Sequence, residues 1–308
     1  NYENGKNRYY EYVPTCVLWS YGYIVFFVSP SAIFLPMDSQ EKSSVTFLMV
    51  GCQRCGTTWT DAALRTHPQI FLPERKQSYF FDRRYEKGID WYLERFKDVE
   101  PQHLAVGEVT TGYCLPEAIP LMAKHLPNIK IIMVMRNPTD RAYSNFQSRQ
   151  TDSNWSTFEE AIDSEPDLIQ RGQYIDQIEQ LLTFYNKDQL LLLLYDDLHE
   201  NDRMYLNKIL DFLGVETNID TKLFGQRANA AHYIKLRKLM QAVGLKTFVN
   251  ALSKSWVGDF IRKSRKNSGR AYKPMNQETN EKLIEHFAPY NAKLATLLQR
   301  DLSHWDRI

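Results

Sequence analysis

Two short segments, far apart in the sequence, carry groups that could hold phosphate. The first, VGCQRCGTTW at residues 50–59, follows an apolar run and ends in Thr-Thr where a helix is predicted to begin. Such a glycine-bounded loop directs backbone N–H groups and the positive helix end towards one point. The second, MRNPTDRAYS at residues 135–144, places Arg136 at a strand end and Ser144 eight residues later. These two donors suit a second phosphate, so the sequence predicts a ligand with two well-separated phosphate groups.

The first segment differs from a nucleoside-triphosphate loop at one informative position. That motif reads G-x-x-x-x-G-K-[ST], in which the Lys binds the β- and γ-phosphates and the hydroxyl binds magnesium. Gly51 and Gly56 have the right spacing here, but Thr57 stands where the Lys should be. The cation lies inside the loop instead, as Arg54, and Trp59 offers a flat face for stacking a base. The missing Lys argues against ATP or GTP with magnesium.

Three further segments extend the pattern: KQSYFFD at residues 76–82, GEVTTGY at residues 107–113 and NSGRAYKP at residues 267–274. In order and spacing, over roughly residues 45–300, the segments resemble the PAPS-dependent sulfotransferase family. The resemblance is to its heparan-sulfate-type and bacterial natural-product tailoring branch. It implies 3′-phosphoadenosine-5′-phosphosulfate (PAPS) as co-substrate and 3′,5′-bisphosphoadenosine (PAP) as product, with no metal required.

The resemblance also implies roles for individual residues. The first loop would bind the 5′-phosphosulfate, with Arg54 stabilising the departing phosphate. Arg136 and Ser144 would bind the 3′-phosphate, and the late glycine loop would close over it. The cofactor-binding residues expected are Arg54, Cys55, Gly56, Thr57, Thr58, Trp59, Arg136, Ser144, Ser268, Gly269 and Arg270.

The base for the acceptor is the point at which this chain departs from the family. In the heparan-type branch the base is the Glu of K-E-x-x-F-F, but this chain has Gln77, whose amide cannot take a proton. Four explanations stay open: Gln77 is an engineered replacement of Glu, the base is another residue such as Glu74 or Glu108, the acceptor needs little assistance, or the chain binds without turnover. The candidate catalytic residues are Arg54, Gln77 and Glu108. Val109 also stands where the branch usually has Lys.

The elements that must position these residues alternate between strand and helix. Apolar runs predict parallel strands at residues 45–50, 129–135 and 190–195, and a helix at residues 57–66 follows the first loop. This alternation predicts a doubly wound α/β fold, a single sulfotransferase domain with a P-loop-like phosphate loop and ligands at the strand carboxyl ends. Near the C-terminus, residues 278–301 are predicted to form one or two helices interrupted at Pro289.

Composition limits the classes of partner. The 308 residues carry 38 Lys and Arg against 37 Asp and Glu, a net charge of +1. This balance argues against nucleic acid or another large polyanion and favours a small-molecule acceptor, as in natural-product tailoring. The 4 cysteines do not form a disulfide framework, and the C-x-x-C of Cys52 and Cys55 has no second pair with metal-ligand spacing. A reducing, cytoplasmic location is expected, and the sequence does not indicate an oligomeric state.

The N-terminal segment allows two interpretations. Residues 12–37 contain no charged side chain, and this length suffices for a membrane span. Prolines and β-branched and aromatic residues favour a buried extension of strands instead. We therefore expect an apolar extension at residues 1–44 and the sulfotransferase domain at residues 45–308. The alternative is a carbohydrate sulfotransferase anchored in the membrane through residues 13–36.

Overall fold

The computed structural model describes residues 45–149, 154–217, 219, 221, 223–225 and 275–307. All of them belong to the compact unit Ser43–Ile308. The expected N-terminal extension or anchor lies outside the described residues, as do Ser268, Gly269 and Arg270. Within the described ranges, no helix combines the length and apolar character that crossing a membrane requires.

A five-stranded sheet in the order β2-β3-β1-β4-β5 forms the centre of the unit. Its strands are β1 (Phe47–Gly51), β2 (Ile70–Phe71), β3 (Ala105–Val109), β4 (Lys130–Met135) and β5 (Leu190–Leu194). Every pairing is parallel. The predicted α/β fold with a parallel sheet is therefore confirmed. The chain builds β2 and β3 on one side of β1 and then crosses to β4, which makes the carboxyl ends of β1 and β4 a topological switch point where ligands bind.

Strand β1 lies in the middle of the sheet, where both of its faces are covered. Phe47 pairs with Gly107 on one side and with Lys130 on the other. Phe47, Leu48 and Met49 are all fully buried. An apolar side chain buried in this way contributes about 1.5–3 kcal/mol. The continuous apolar sequence of β1 thus fixes the point at which the phosphate loop begins.

Eleven α-helices of the described residues surround the sheet. They are α1 (Thr57–Leu64), α2 (Phe80–Arg83), α3 (Ile89–Leu93), α4 (Ala118–His125), α5 (Pro138–Arg149), α6 (Phe158–Ser164), α7 (Asp167–Gln170), α8 (Tyr174–Phe184), α9 (Tyr195–Glu200), α10 (Asp202–Leu213) and α11 (Gln277–Leu298). The ends of α10 show the expected local chemistry. The Asn201 side chain accepts from the backbone N–H of Met204, and Gly214 ends the helix with a φ of 79°.

The predicted interruption at Pro289 is wrong, because α11 continues through it. The buried side chains of α11 are Leu283, Phe287, Asn291 and Leu294, at the spacing of one helix face. Pro289 lies on the exposed face, where water can reach the backbone carbonyl that loses its partner. Packing of the buried face offsets a proline penalty of about 3 kcal/mol.

Candidate functional site

A cavity of about 1110 Å³ opens at the carboxyl ends of β1 and β4. It is lined by residues of both phosphate segments, namely Arg54, Gly56, Thr57, Thr58, Arg136 and Ser144. Pockets for one small ligand measure roughly 300–1,000 Å³, so this cavity has room for more than one molecule. The fold therefore brings the two predicted segments to one place.

The loop after β1 holds a conformation that its glycine permits. Gly56 has a φ of 80°, and a Cβ there would lie 2.8 Å from Leu198 and 2.9 Å from Tyr195. Arg54 also has a positive φ, 72°, which is uncommon for a residue with a side chain. The N–H of Cys52 donates to the Val134 carbonyl of β4 at 2.8 Å. This bond ties the loop to the neighbouring strand.

Arg54 and Ser144 connect the two segments directly. Arg54 Nε donates to Ser144 Oγ at 3.0 Å, although the residues are 90 positions apart. Arg136, at the end of β4, donates to Asp140 at 3.3 Å and places its guanidinium 5.2 Å from the centre of the Tyr195 ring. Cationic and hydroxyl donors from both segments thus face one space, as a ligand with two phosphates requires.

Lys76 is a site residue that sequence reasoning missed. Its side chain is 5% exposed, and Nζ lies 3.4 Å from Oγ1 of both Thr57 and Thr58 at the start of α1. Burial lowers the pKa of Lys76 to about 8, although nearby Asp61 acts to raise it. Two signals could have identified it: the loop lacks its usual Lys, and KQSYFFD begins with one. The fold supplies the missing ammonium from this second segment.

The same segment brings Gln77 and Asp82 to the cavity wall. The Asp82 side chain is 7% exposed and lies 3.6 Å from Arg83 Nε. Within the described part of the chain, Asp82 Oδ1 has no hydrogen-bond partner. Burial raises the pKa of Asp82, while the positive charges of Arg83 and Arg171 act in the opposite direction. The cavity thus contains a carboxylate that can accept a proton.

Glu108 occupies a different place from the one expected of a base. It is fully buried and is not among the residues that line the cavity. Ser78 donates to it through its backbone N–H and through Oγ at 3.0 Å, and the Tyr113 hydroxyl donates at 3.2 Å. Arg95 lies 3.8 Å away. Glu108 therefore ties the segment of residues 76–82 to the sheet, and its pKa is raised by burial. Glu74 is exposed and also lies outside the cavity lining.

The side chains of Cys55 and Trp59 are buried. The Cys55 side chain is fully buried, and its N–H donates to the Cys52 carbonyl at 3.3 Å. Trp59 lines the cavity but is only 5% exposed, and its ring centre lies 6.1 Å from that of Tyr205 in a T-shaped arrangement. Cys52 and Cys114 are buried free thiols as well. In the ranges that the structure describes, no group of three His, Cys, Asp or Glu side chains could hold a metal ion.

Known sulfotransferases are similar in sequence to this chain. The family described as "Sulfotransferase domain" matches residues 45–297. Mouse bifunctional heparan sulfate N-deacetylase/N-sulfotransferase 4 is 28% identical over 82% of this chain but only 30% of its own length. The membrane-associated sulfotransferase kil1 of Dictyostelium discoideum is 24% identical over 87% of this chain and 68% of its own.

One further relative and one solved structure are also similar to this chain. Human heparan sulfate glucosamine 3-O-sulfotransferase 3A1 is 26% identical over 90% of this chain and 66% of its own length. The crystal structure of a sulfotransferase from Alicyclobacillus acidocaldarius superposes with a TM-score of 0.64 at 23% identity, covering 85% of this chain and 99% of the other. That likeness shows a common fold.

Proposed function

Since the chain belongs to the sulfotransferase family, we propose that it transfers a sulfuryl group from PAPS to a hydroxyl or amine of an acceptor. Family membership confirms the resemblance drawn from the motifs. PAPS as the co-substrate and PAP as the product are part of the proposal, and family membership supports them. The assignment of individual residues is our proposal.

The contact between Arg54 and Ser144 carries this proposal, because it places both phosphate segments on one ligand space. At the 5′ end, Lys76, Arg54 and the N-terminus of α1 hold the phosphosulfate. At the 3′ end, Arg136 and Ser144 hold the second phosphate. Closure by Ser268, Gly269 and Arg270 stays a prediction from the sequence.

Transfer requires that charge on the leaving group be stabilised. The acceptor atom attacks sulfur, the bond between sulfur and the bridging oxygen breaks, and the electron pair stays on the 5′-phosphate of PAP. By analogy with phosphoryl transfer, the protein positions the reactants and neutralises that developing charge. Arg54 and Lys76 supply the positive charge in a partly buried site, where it acts more strongly than in water.

We propose that Asp82 is the base that takes the proton from an acceptor hydroxyl. Gln77 lines the cavity but has no basic group, and Glu108 is buried outside it with both oxygens bonded. Asp82 lines the cavity, and its buried Oδ1 has no hydrogen-bond partner within the described structure. The Gln77 amide then orients the acceptor by hydrogen bonding. No engineered change at residue 77 is needed for this assignment.

For the acceptor we propose a small molecule of natural-product type, which the net charge of +1 favours. A carbohydrate is the second candidate, because relatives carry heparan sulfate and glucosamine in their names. A cytoplasmic location accompanies the first candidate. Anchoring through residues 13–36 accompanies the second, and one relative is called membrane-associated.

Turnover with radiolabelled PAPS tests the proposal. The protein is incubated with two neutral phenols, the methyl esters of para- and meta-hydroxybenzoate, and with an N-unsubstituted heparan oligosaccharide. We expect PAP and labelled product in equal amounts from at least one acceptor class. Arg54→Ala should lower the rate by roughly 10²–10³-fold, whereas Arg307→Ala, on the exposed C-terminal segment, should not change it. A protein that neither binds PAP nor releases it from PAPS would contradict the proposal.

A further inference from the structure

Four charged side chains form a chain of ion pairs on the cavity wall, in the order Glu165, Arg149, Asp167 and Arg171. Arg149, at the end of α5, lies 3.2 Å from Glu165 and 3.7 Å from Asp167. Arg171, after α7, lies 2.9 Å from Asp167. All four residues line the cavity. Each arginine in the network therefore has a carboxylate partner from the protein itself.

The network lies near the residue proposed to take the acceptor's proton. The positive charge of Arg171 acts on the Asp82 carboxyl, and Asp82 and Gln77 line the same cavity as the network. An acceptor that reaches Asp82 consequently passes beside these paired charges.

Stability does not explain why the four charges lie together. Their side chains are between 14% and 38% exposed. Ion pairs with this much solvent contact contribute little to folding, typically about 0–1 kcal/mol each. Their effect on a bound molecule is larger, because the bound molecule displaces the water that screens them.

We infer that Glu165 and Asp167 are specificity-determining residues: by neutralising Arg149 and Arg171, they make the acceptor end select molecules without negative charge near the reacting group. This inference rests on the proposed function and names its acceptor class. An anionic acceptor would meet arginines that are already paired with protein carboxylates. No protein cation would therefore offset the cost of removing water from the acceptor's negative charge. Removing Asp167 leaves Arg171 without its carboxylate, and removing Glu165 leaves Arg149 with only its longer pair to Asp167, at 3.7 Å. Either change makes a guanidinium available for a two-pronged bond to a carboxylate on the acceptor.

Binding to the PAP-saturated protein tests this without depending on turnover. The probes are para- and meta-hydroxybenzoate and their methyl esters, which differ in charge and hardly in shape. We expect the native protein to bind the better ester at least about tenfold more tightly than its acid. Glu165→Gln and Asp167→Asn should each shift this ratio towards the acid by roughly 10- to 100-fold. Where turnover is measured as a second readout, the same change should appear in the KM for the acid and not in kcat for the ester.

Two further variants separate specificity from a structural effect. Adding Arg149→Gln to Glu165→Gln should remove the gained affinity for the acid. Glu94→Gln removes an acid whose ion pair with Lys97 lies on the exposed surface, and it should leave the ratio unchanged. Equal binding of ester and acid by the native protein, or a ratio unmoved within about twofold by both acidic variants, would overturn the inference while PAP binding still supported the proposed function. Failure to bind PAP would instead overturn the proposed function.

Discussion

At the scale of single residues, the proposed phosphate site depends on two cations that come from different parts of the chain. Arg54 comes from the loop after β1, and Lys76 comes from the segment before α2 and lies 3.4 Å from Thr57 and Thr58. In a nucleoside-triphosphate loop a single Lys performs this task. The buried position of Lys76 makes its charge sensitive to pH, which gives the role a direct test.

We expect PAP affinity to weaken as pH rises above about 8. In the free protein Lys76 has a pKa near 8, so above that value it is mostly neutral and must take up a proton to bind phosphate. Below that value the ammonium is already present and affinity should be constant, since the 5′-phosphate stays ionised above about pH 7. Calorimetric titration with PAP across this range measures the effect.

Lys76→Met should abolish the pH dependence and weaken PAP binding at neutral pH by roughly 10- to 100-fold, the loss of a charged hydrogen bond. Lys97→Met, which removes an exposed ammonium, is the matched control and should behave as the native protein. A native affinity that does not change between about pH 7 and pH 10 would rule out Lys76 as a phosphate ligand.

Asp82→Asn should lower kcat by roughly 10²–10⁴-fold, the usual contribution of a general base. PAP binding should remain, because Asp82 lies outside the phosphate segments. Burial raises the pKa of Asp82, so in the native protein kcat/KM should fall as pH drops below that raised value and the carboxylate becomes protonated. The variant should lack this acidic limb.

Asp90→Asn, at an exposed position near the start of α3, serves as the control and should retain native turnover. Gln77→Glu provides the opposing case. If it raises turnover strongly while Asp82→Asn has no effect, residue 77 is the base position and the assignment to Asp82 is wrong.

At the scale of elements, the phosphate loop depends on strand β1 and helix α1 holding its two ends. Both elements were predictable, because β1 is a continuous apolar run and α1 begins directly after Gly56. The two-residue strand β2 was not, since two residues carry no periodicity. The buried role of Glu108 was also hidden: its partners Ser78, Tyr113 and Arg95 come from three separate segments.

Gly56→Ala tests how strictly the loop needs its conformation. The φ of 80° would strain any residue with a Cβ, and that Cβ would also collide with Leu198 and Tyr195. We expect a loss of unfolding free energy above about 1–2 kcal/mol and PAP affinity lower by at least about tenfold. Thermal unfolding and calorimetry measure the two effects.

Gly214→Ala is the matched control for this change. Gly214 has nearly the same φ, 79°, but its Cβ would meet only Lys130 Nζ, at 3.8 Å. Its cost should be about 1–2 kcal/mol from backbone strain alone, with native PAP affinity. Gly56→Ala protein that binds PAP as tightly as the Gly214→Ala protein would show that the loop adapts.

At the scale of the whole molecule, the doubly wound sheet brings segments that are distant in the sequence to one cavity. Motif spacing predicted Arg54, Arg136 and Ser144, because each follows a strand whose carboxyl end faces the switch point. Lys76 and Asp82 belong to the segment that the resemblance placed at the site through Gln77, but that these two side chains also line the cavity is decided by the fold. Charge pairing across α5, α6 and α7 is likewise a property of the fold, since a net charge of +1 does not reveal which charges meet.

Thermal unfolding with PAP, with AMP and with ATP plus magnesium, at equal concentrations, tests whether the cavity holds a ligand with both a 5′- and a 3′-phosphate. We expect a large rise of the unfolding temperature with PAP, a clearly smaller one with AMP, which lacks the 3′-phosphate, and no advantage for ATP with magnesium. Arg136→Ala should make PAP and AMP equivalent. A larger rise with ATP and magnesium than with PAP would show a phosphoryl-transfer site instead.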